Sequence, residues 1–371
     1  MKKPGLTQSV VHRPAVHPPA VHPPAVHTPL RRAIRLAGIA AWALLPALAT
    51  LPAAAESLDE TIAAAKKEGA ILWYDSLPRE QGERILREFQ KDYPFVSRLE
   101  YLEVPGAQKT ARVTQELRAG GPTADVLIDT PSGIQNYIDA GFAVKIDWKG
   151  LQVPVSAVHT PNDYIVAVTT PSYGLLYNTT KVSEAEVPRS WEALLDSKWK
   201  KRIGTWARVN GFVNFVPLWG EEKTRAYVKQ FAELQPRLFR STYTAAQAVG
   251  AAEIDIAFTI YHTALPTVEK GAPVKWVYLD PTPVALLYGV ILKYGKNPNS
   301  AKLLLKWLGS KNGALAYEAV AQRGNHLVPE TKTAQMLKGK TLAYPDAQQE
   351  IKDAALYNRL EAEYGKILAG R

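Results

Sequence analysis

The chain has 371 residues, no cysteine and a formal net charge of +10. The lack of cysteine excludes a disulfide framework, a thiolate nucleophile and a cysteine-ligated metal. Residues 1–55 carry six Lys or Arg and no acid, so the remainder has a net charge of only +4 with both signs interspersed, an ordinary solvated surface that gives no support for a nucleic-acid partner.

Four copies of one pentapeptide open the chain, with His12, His17, His22 and His27 in corresponding positions; their proline spacing reads as a disordered extension rather than a metal tract. Arg31, Arg32 and Arg35 then precede an apolar run from Leu36 to Leu51 that closes on Pro52-Ala53-Ala54-Ala55. A cationic stretch, a short apolar core and small residues are the parts of a cleavable secretion signal, with the cut expected after Ala55. The run is too short for a membrane anchor and is broken by Pro46. Sec and twin-arginine export both remain open on these residues. About 316 residues follow, more than one core usually serves, so two domains are expected.

From there helix and strand signals alternate. Ser57-x-x-Glu60 is a capping box for a helix stopped by Gly69, and Ala70 to Tyr74 reads as a strand. Pro78 begins a helix that Tyr93-Pro94 ends, and a strand is expected near Val96 to Leu102. A helix bearing Val113 and Leu117 leads to a third strand, Ala124 to Ile128, and Ser132-x-x-Gln135 reads as the cap of the next helix. Further βα units begin after Tyr173 to Tyr177. Ser190 caps a helix with Trp191, Ile203 to Trp206 and Ile254 to Phe258 read as strands, Thr244-x-x-Gln247 opens a helix, and Val284 to Leu292 looks like one long strand. Parallel strands need long crossovers, so this order predicts α/β lobes with mostly parallel sheets flanked by helices.

Several segments have counterparts in a known family: Pro122-Thr123-Ala124-Asp125-Val126, Tyr137-Ile138-Asp139-Ala140-Gly141, Tyr177-Asn178, Pro188-Arg189-Ser190-Trp191, Glu253-Ile254-Asp255-Ile256-Ala257 and Asn297-Pro298-Asn299-Ser300-Ala301. In this order and spacing, after a secretion signal, the chain resembles the type II periplasmic solute-binding proteins of ABC importers. The likeness is to the branch that includes ferric-ion, polyamine, phosphonate and sugar-phosphate receptors. The resemblance implies a two-lobed clamp. Residues 1–55 are the extension and signal, 56–172 the first part of lobe 1, 173–278 lobe 2, and 279–371 a return to lobe 1 with C-terminal helices. It also implies a periplasmic monomer that passes a small-molecule ligand to a permease in the cytoplasmic membrane.

Open α/β sheets bind ligands beyond the C-terminal ends of their strands, where helix N-termini favour anions. The residues after the predicted strands are therefore the candidates: Asp75 and Ser76; Asp129, Thr130, Ser132 and Gly133; then Arg208 and Asn210, the arginine suited to gripping a carboxylate or phosphate. Tyr173 and Tyr288 are further aromatics expected near the cleft or in the core. The strand ending at Phe258 runs into Tyr261-His262. Ferric-binding members of the family carry adjacent tyrosines in this region, because hard Fe(III) favours phenolate; here the second position is His262. These residues set out two solute classes: a small polar anion, bound with no cofactor or metal, and as the alternative Fe(III), held by Tyr261 and His262. His159 and His326 lack metal-ligand spacing and read as structural. No Gly-x-Ser-x-Gly elbow, His-Glu-x-x-His or phosphate loop is present, so the expectation is a binding protein and not an enzyme. A sensory role with a receptor partner is compatible with the same clamp.

Overall fold

A computed structural model describes residues 57–104, 106–154, 157–158 and 163–370. The pentapeptide repeat, the expected signal and His159 lie outside the described residues. Ser57 caps α1 (Leu58–Glu68): its hydroxyl accepts from the Glu60 N–H at 3.3 Å, while the Glu60 carboxylate accepts from the Ser57 N–H at 2.9 Å. Gly69 ends the helix at a φ of 59°, a left-handed conformation that only glycine adopts without strain. A Cβ at this position meets nothing closer than the Phe95 carbonyl oxygen at 3.6 Å. Gly69→Ala is accordingly expected to cost about 1 kcal/mol through the dihedral alone, as a shifted urea midpoint with an unchanged slope.

Lobe 1 continues with β1 (Ala70–Asp75), α2 (Arg79–Asp92), β2 (Arg98–Glu103), α3 (Gly106–Arg118), β3 (Val126–Asp129), α4 (Pro131–Asp139) and β4 (Ile165–Thr169). Lobe 2 holds β5 (Tyr173–Asn178), β6 (Ile203–Trp206), α5 (Asn210–Val213), α6 (Val216–Glu233), β7 (Arg237–Phe239), α7 (Thr242–Gly250), β8 (Ile256–Ile260), α8 (Tyr261–Glu269) and β9 (Val274–Val277). The chain then adds β10 (Thr282–Pro283), β11 (Leu287–Ile291), α9 (Pro298–Leu308), α10 (Lys311–Ala321), α11 (Lys332–Leu337), β12 (Leu342–Ala343), α12 (Ala347–Lys352) and α13 (Ala354–Leu368).

Two five-stranded sheets result, in the orders β2-β1-β3-β11-β4 and β7-β6-β8-β5-β9. In the first, β1 runs parallel to β2 and β3, with Trp73 opposite Tyr101 and Val126, while β11 is antiparallel to both its neighbours. In the second, β6 is parallel to β7 and β8, and β5 is antiparallel to β8 and β9. This is the α/β architecture expected, with a core on each sheet. The chain passes between the sheets after β4 and again after β9. The two crossings are tied together where the Ser172 and Tyr278 hydroxyls meet at 2.7 Å and Ser172 bridges Val284.

Three local expectations differ from the structure. The stretch from Val284 is not one strand, because the Val284 N–H bonds to the Ala343 carbonyl and the Ala285 N–H to that of Pro171, which draws it into the crossing before β11 begins. Ser190 caps no full helix: its hydroxyl accepts from the Ala193 N–H at 3.1 Å in a turn that leads into a single 3₁₀ turn, Ala193–Leu195, whose N-cap is Glu192. The last segment does not all return to lobe 1. α12 lies on α4, but α13 buries Tyr357, Leu360, Tyr364 and Leu368 in the lobe-2 core beside Tyr227, Val228 and Phe231 of α6. That helical stripe closes a lobe-2 core that α6 alone leaves open.

Candidate functional site

Between the two sheets lies a cleft of about 610 Å³, a size suited to a small molecule. Its lining comes from the ends of parallel strands and the residues just beyond them: Ser76 after β1, Asp129 as the last residue of β3, Arg208 after β6, Arg240 after β7 and His262 after β8.

The lobe-1 wall is built on α4. Pro131 fixes the helix start, so the residue before it, Thr130, is the cap and accepts from the Gly133 N–H at 3.2 Å. Ser132 is therefore not the cap that its spacing to Gln135 suggested. Its N–H and hydroxyl both donate to Oε1 of Glu350 on α12, at 3.2 and 2.9 Å. Pro131 has no N–H, so the first donors of α4 are all taken by the chain itself. Asp129 sits over the same helix end. A Cβ on Gly133 would fall 2.8 Å from its Cγ, which is why glycine occupies that position. Oδ1 of Asp129 accepts from the Thr130 N–H at 2.9 Å, and Oδ2 is buried with no partner. Burial pushes this carboxyl up, with Lys109 opposing the shift.

Beneath that wall, the fully buried Asp75 accepts from the Ser76 N–H at 2.6 Å and the Tyr317 hydroxyl at 2.8 Å. Lys109, equally buried, donates to the Ile128 carbonyl at 2.5 Å and lies 4.0 Å from Asp75. Arg323, following α10, reaches the cleft with its Nε buried and unpartnered. Burial opposes its charge, but Tyr317, Asp75 and, from across the cleft, Tyr243 hold its pKa up.

On the lobe-2 wall Arg208 lies over the Trp206 ring, 5.4 Å from its centroid. The Asn210 amide donates to Glu361 of α13. Burial raises the Glu361 carboxyl and Arg208 lowers it. Tyr173 packs 5.9 Å from Phe258, its phenol raised by burial. His262 is buried, and desolvation, then Arg323, holds it well below the ordinary imidazole range, so it is neutral.

Of the residues singled out from sequence, Ser76, Thr130, Ser132, Tyr173, Arg208, Asn210 and His262 line the cleft together. Tyr261 does not. Its ring packs 5.3 Å from Trp276 and 6.1 Å from Tyr278, because Tyr261 and His262 open α8, where successive side chains point about 100° apart, and His262 takes the inward direction. The Tyr261-His262 pair is thus split. Tyr288 is core at 1% exposure, and His326 bonds through Nδ1 to the Thr170 hydroxyl at 2.9 Å near the first crossing. Sequence reasoning missed Lys109, Arg240, Arg323, Glu350 and Glu361. None follows a predicted strand; Arg240 follows β7, which is three residues long and carries no strand signal among the predicted elements.

Two α/β lobes, two tied crossings and a polar cleft at the strand ends define a clamp that holds a solute between its halves. The chain belongs to the bacterial extracellular solute-binding protein family, whose model matches residues 121–352; its fold is that of the two-lobed periplasmic binding proteins. Iron-bound HitA from Pseudomonas aeruginosa superimposes with a TM-score of 0.67 at 20% identity, over 80% of this chain and 99% of that one. AfuA from Actinobacillus pleuropneumoniae, with fructose-6-phosphate bound, gives 0.63 at 19% identity, over 81% and 98%. The major ferric iron-binding protein of Neisseria gonorrhoeae is 31% identical over 183 residues, 46% of this chain and 54% of that protein. The chain thus spans about half the length of the curated relatives it matches. Among the described residues no helix is long and apolar enough to cross a membrane.

Proposed function

We propose that this protein, exported through its N-terminal signal, captures a small solute bearing an anionic group and presents it unchanged to an ABC permease. One observation carries the reading. Arg208 and Arg240 from lobe 2 and Arg323 from lobe 1 face one cleft, and among the described residues none is ion-paired with a carboxylate. Guanidinium stays charged at any physiological pH, whereas burial raises Asp129, Glu350 and Glu361 and so suppresses the opposing negative charge. An anion held by arginines of both lobes favours the closed clamp over the open one.

Calorimetry of the purified protein against phosphate esters, phosphonates and carboxylates tests this. Arg323→Ala is expected to weaken the bound anion about tenfold to a hundredfold, the worth of a charge-assisted hydrogen bond. Failure of every anion to bind, or equal affinity in the variant, would sink the reading.

Ferric ion is the second reading, favoured by what the Neisseria and Pseudomonas relatives bind. It meets a physical obstacle in this cleft: Tyr261 is turned away, and His262 lies against the cationic Arg323. A visible phenolate-to-iron absorption band on adding Fe(III), lost in Tyr261→Phe, would support it, and no band would dismiss it.

A further inference from the structure

The C-terminal segment brings two carboxylates into the cleft from outside both sheets. Glu350 on α12 is bound to Ser132 in lobe 1, and Glu361 on α13 to Asn210 in lobe 2. In each case one oxygen is held by the wall, and both residues line the cavity. Glu350 occupies a place in lobe 1 where an incoming anion would find a backbone N–H and a hydroxyl together at the end of a helix of nine residues. With Pro131 lacking an N–H and Gly133 bonded to Thr130, that end offers nothing else.

We propose that Glu350 is a specificity-determining residue of the cleft, and that an anionic solute settles against the lobe-1 wall only together with a proton on this carboxylate. The inference rests on the anion reading above. Protonated, Glu350 keeps one oxygen as acceptor for Ser132 and turns an O–H towards the solute; ionised, it repels the solute at contact distance. The surroundings favour the protonated form. Facing Glu350 are Asp129 at the end of β3, Glu361 and Tyr357 from α13, Tyr288 from β11 and, on its own side, Asp346. Arg208, on the facing wall, acts on Asp129 and Glu361. Burial, helped by the two neighbouring carboxylates and opposed by the Ser132 bonds, places the Glu350 carboxyl at about 7. A bound anion adds a further upward push. Affinity is therefore full below this range and falls as pH rises through it.

Sulfate, whose charge is constant over the range, is the probe. Titrated into the wild-type protein, it is expected to bind with proton uptake, seen as an apparent enthalpy that changes with the buffer's ionisation heat. Between about pH 6 and about pH 8 the affinity should fall up to about tenfold, the limit for one linked proton per pH unit above the midpoint. Glu350→Gln keeps the acceptor for Ser132 and should bind equally at both pH values with no proton uptake. Ser132→Ala removes the hydroxyl bond, which favours the ionised form, while the backbone N–H bond stays, and should move the midpoint upward, a shift that a merely structural role would not produce. The proposal is overturned if Glu350→Gln retains the wild-type pH profile, or if Glu361→Gln flattens the profile in its place. Binding with no pH dependence at all overturns it while leaving the anion reading intact. Absence of anion binding in every variant overturns both.

Discussion

Replacing Trp191 by Ala is expected to lower the free energy of unfolding by about 3–5 kcal/mol, the range for truncating a buried large aromatic. Trp191 is 1% exposed and sits edge-on to Phe215 at 4.8 Å, Phe258 at 5.2 Å and Tyr227 at 6.3 Å. Removing the ring empties the centre of the lobe-2 core, where three aromatics lose their common partner. It also orphans an acceptor, since the indole N–H donates to the Pro281 carbonyl at 2.8 Å. That bond matters beyond the core, because Pro281 belongs to the crossing by which the chain returns to lobe 1. Trp191→Phe keeps most of the ring contacts and loses the hydrogen bond, so it should cost about 1–2 kcal/mol. Urea unfolding followed by circular dichroism checks both. A loss below about 1 kcal/mol for the alanine variant would show that lobe 2 is not organised around this residue.

The segment around Trp191 illustrates what local pattern carries. Pro188-Arg189-Ser190-Trp191 reads as a turn, a cap and a buried anchor, and the structure gives the turn and the anchor, with the Ser190 hydroxyl closing the turn on the Ala193 N–H and capping no full helix. The α/β lobes were legible for the same reason, since alternating periodicity and helix stops are encoded within a few residues. Cleft positions that follow strands were legible through a general rule of α/β sheets. Pairing Tyr261 with His262 assumes that neighbours share a face, but both open α8, where successive side chains point about 100° apart. Ser132 was read as a cap because its spacing to Gln135 fits the box, yet Pro131 at the first helical position settles the matter in favour of Thr130. Glu350 and Glu361 were out of reach for another reason. On α13, Glu361 borders the buried stripe of Leu360 and Tyr364, and its period alone assigns it to solvent. Only the docking of α12 and α13 on two different lobes turns these glutamates inward, and no local signal reports which lobe a terminal helix will choose.

Asp125→Ala is expected to cost about 3–5 kcal/mol, because the residue is a buried acceptor with three protein donors and no substitute for any of them. The carboxylate is 1% exposed. Oδ2 accepts from the Leu72 N–H of β1 at 2.7 Å and from the Asn297 side-chain amide at 2.9 Å, while Oδ1 accepts from the Asn297 N–H at 2.8 Å. Burial raises its pKa, and the bonds from Asn297 and Leu72 work against that rise. Asp125→Asn separates shape from chemistry. It fills the same space, but both carboxylate oxygens are acceptors here, so the amide NH₂ must face an N–H whichever way it is turned, and a loss of about 2–3 kcal/mol should remain. Asp125 lies just before β3, at the far end of that strand from Asp129 and the cleft. The folded fraction of either variant should therefore bind sulfate with wild-type affinity while its urea midpoint drops. A variant that loses affinity in proportion to stability would place Asp125 in the coupling between lobe 1 and the cleft rather than in the scaffold alone.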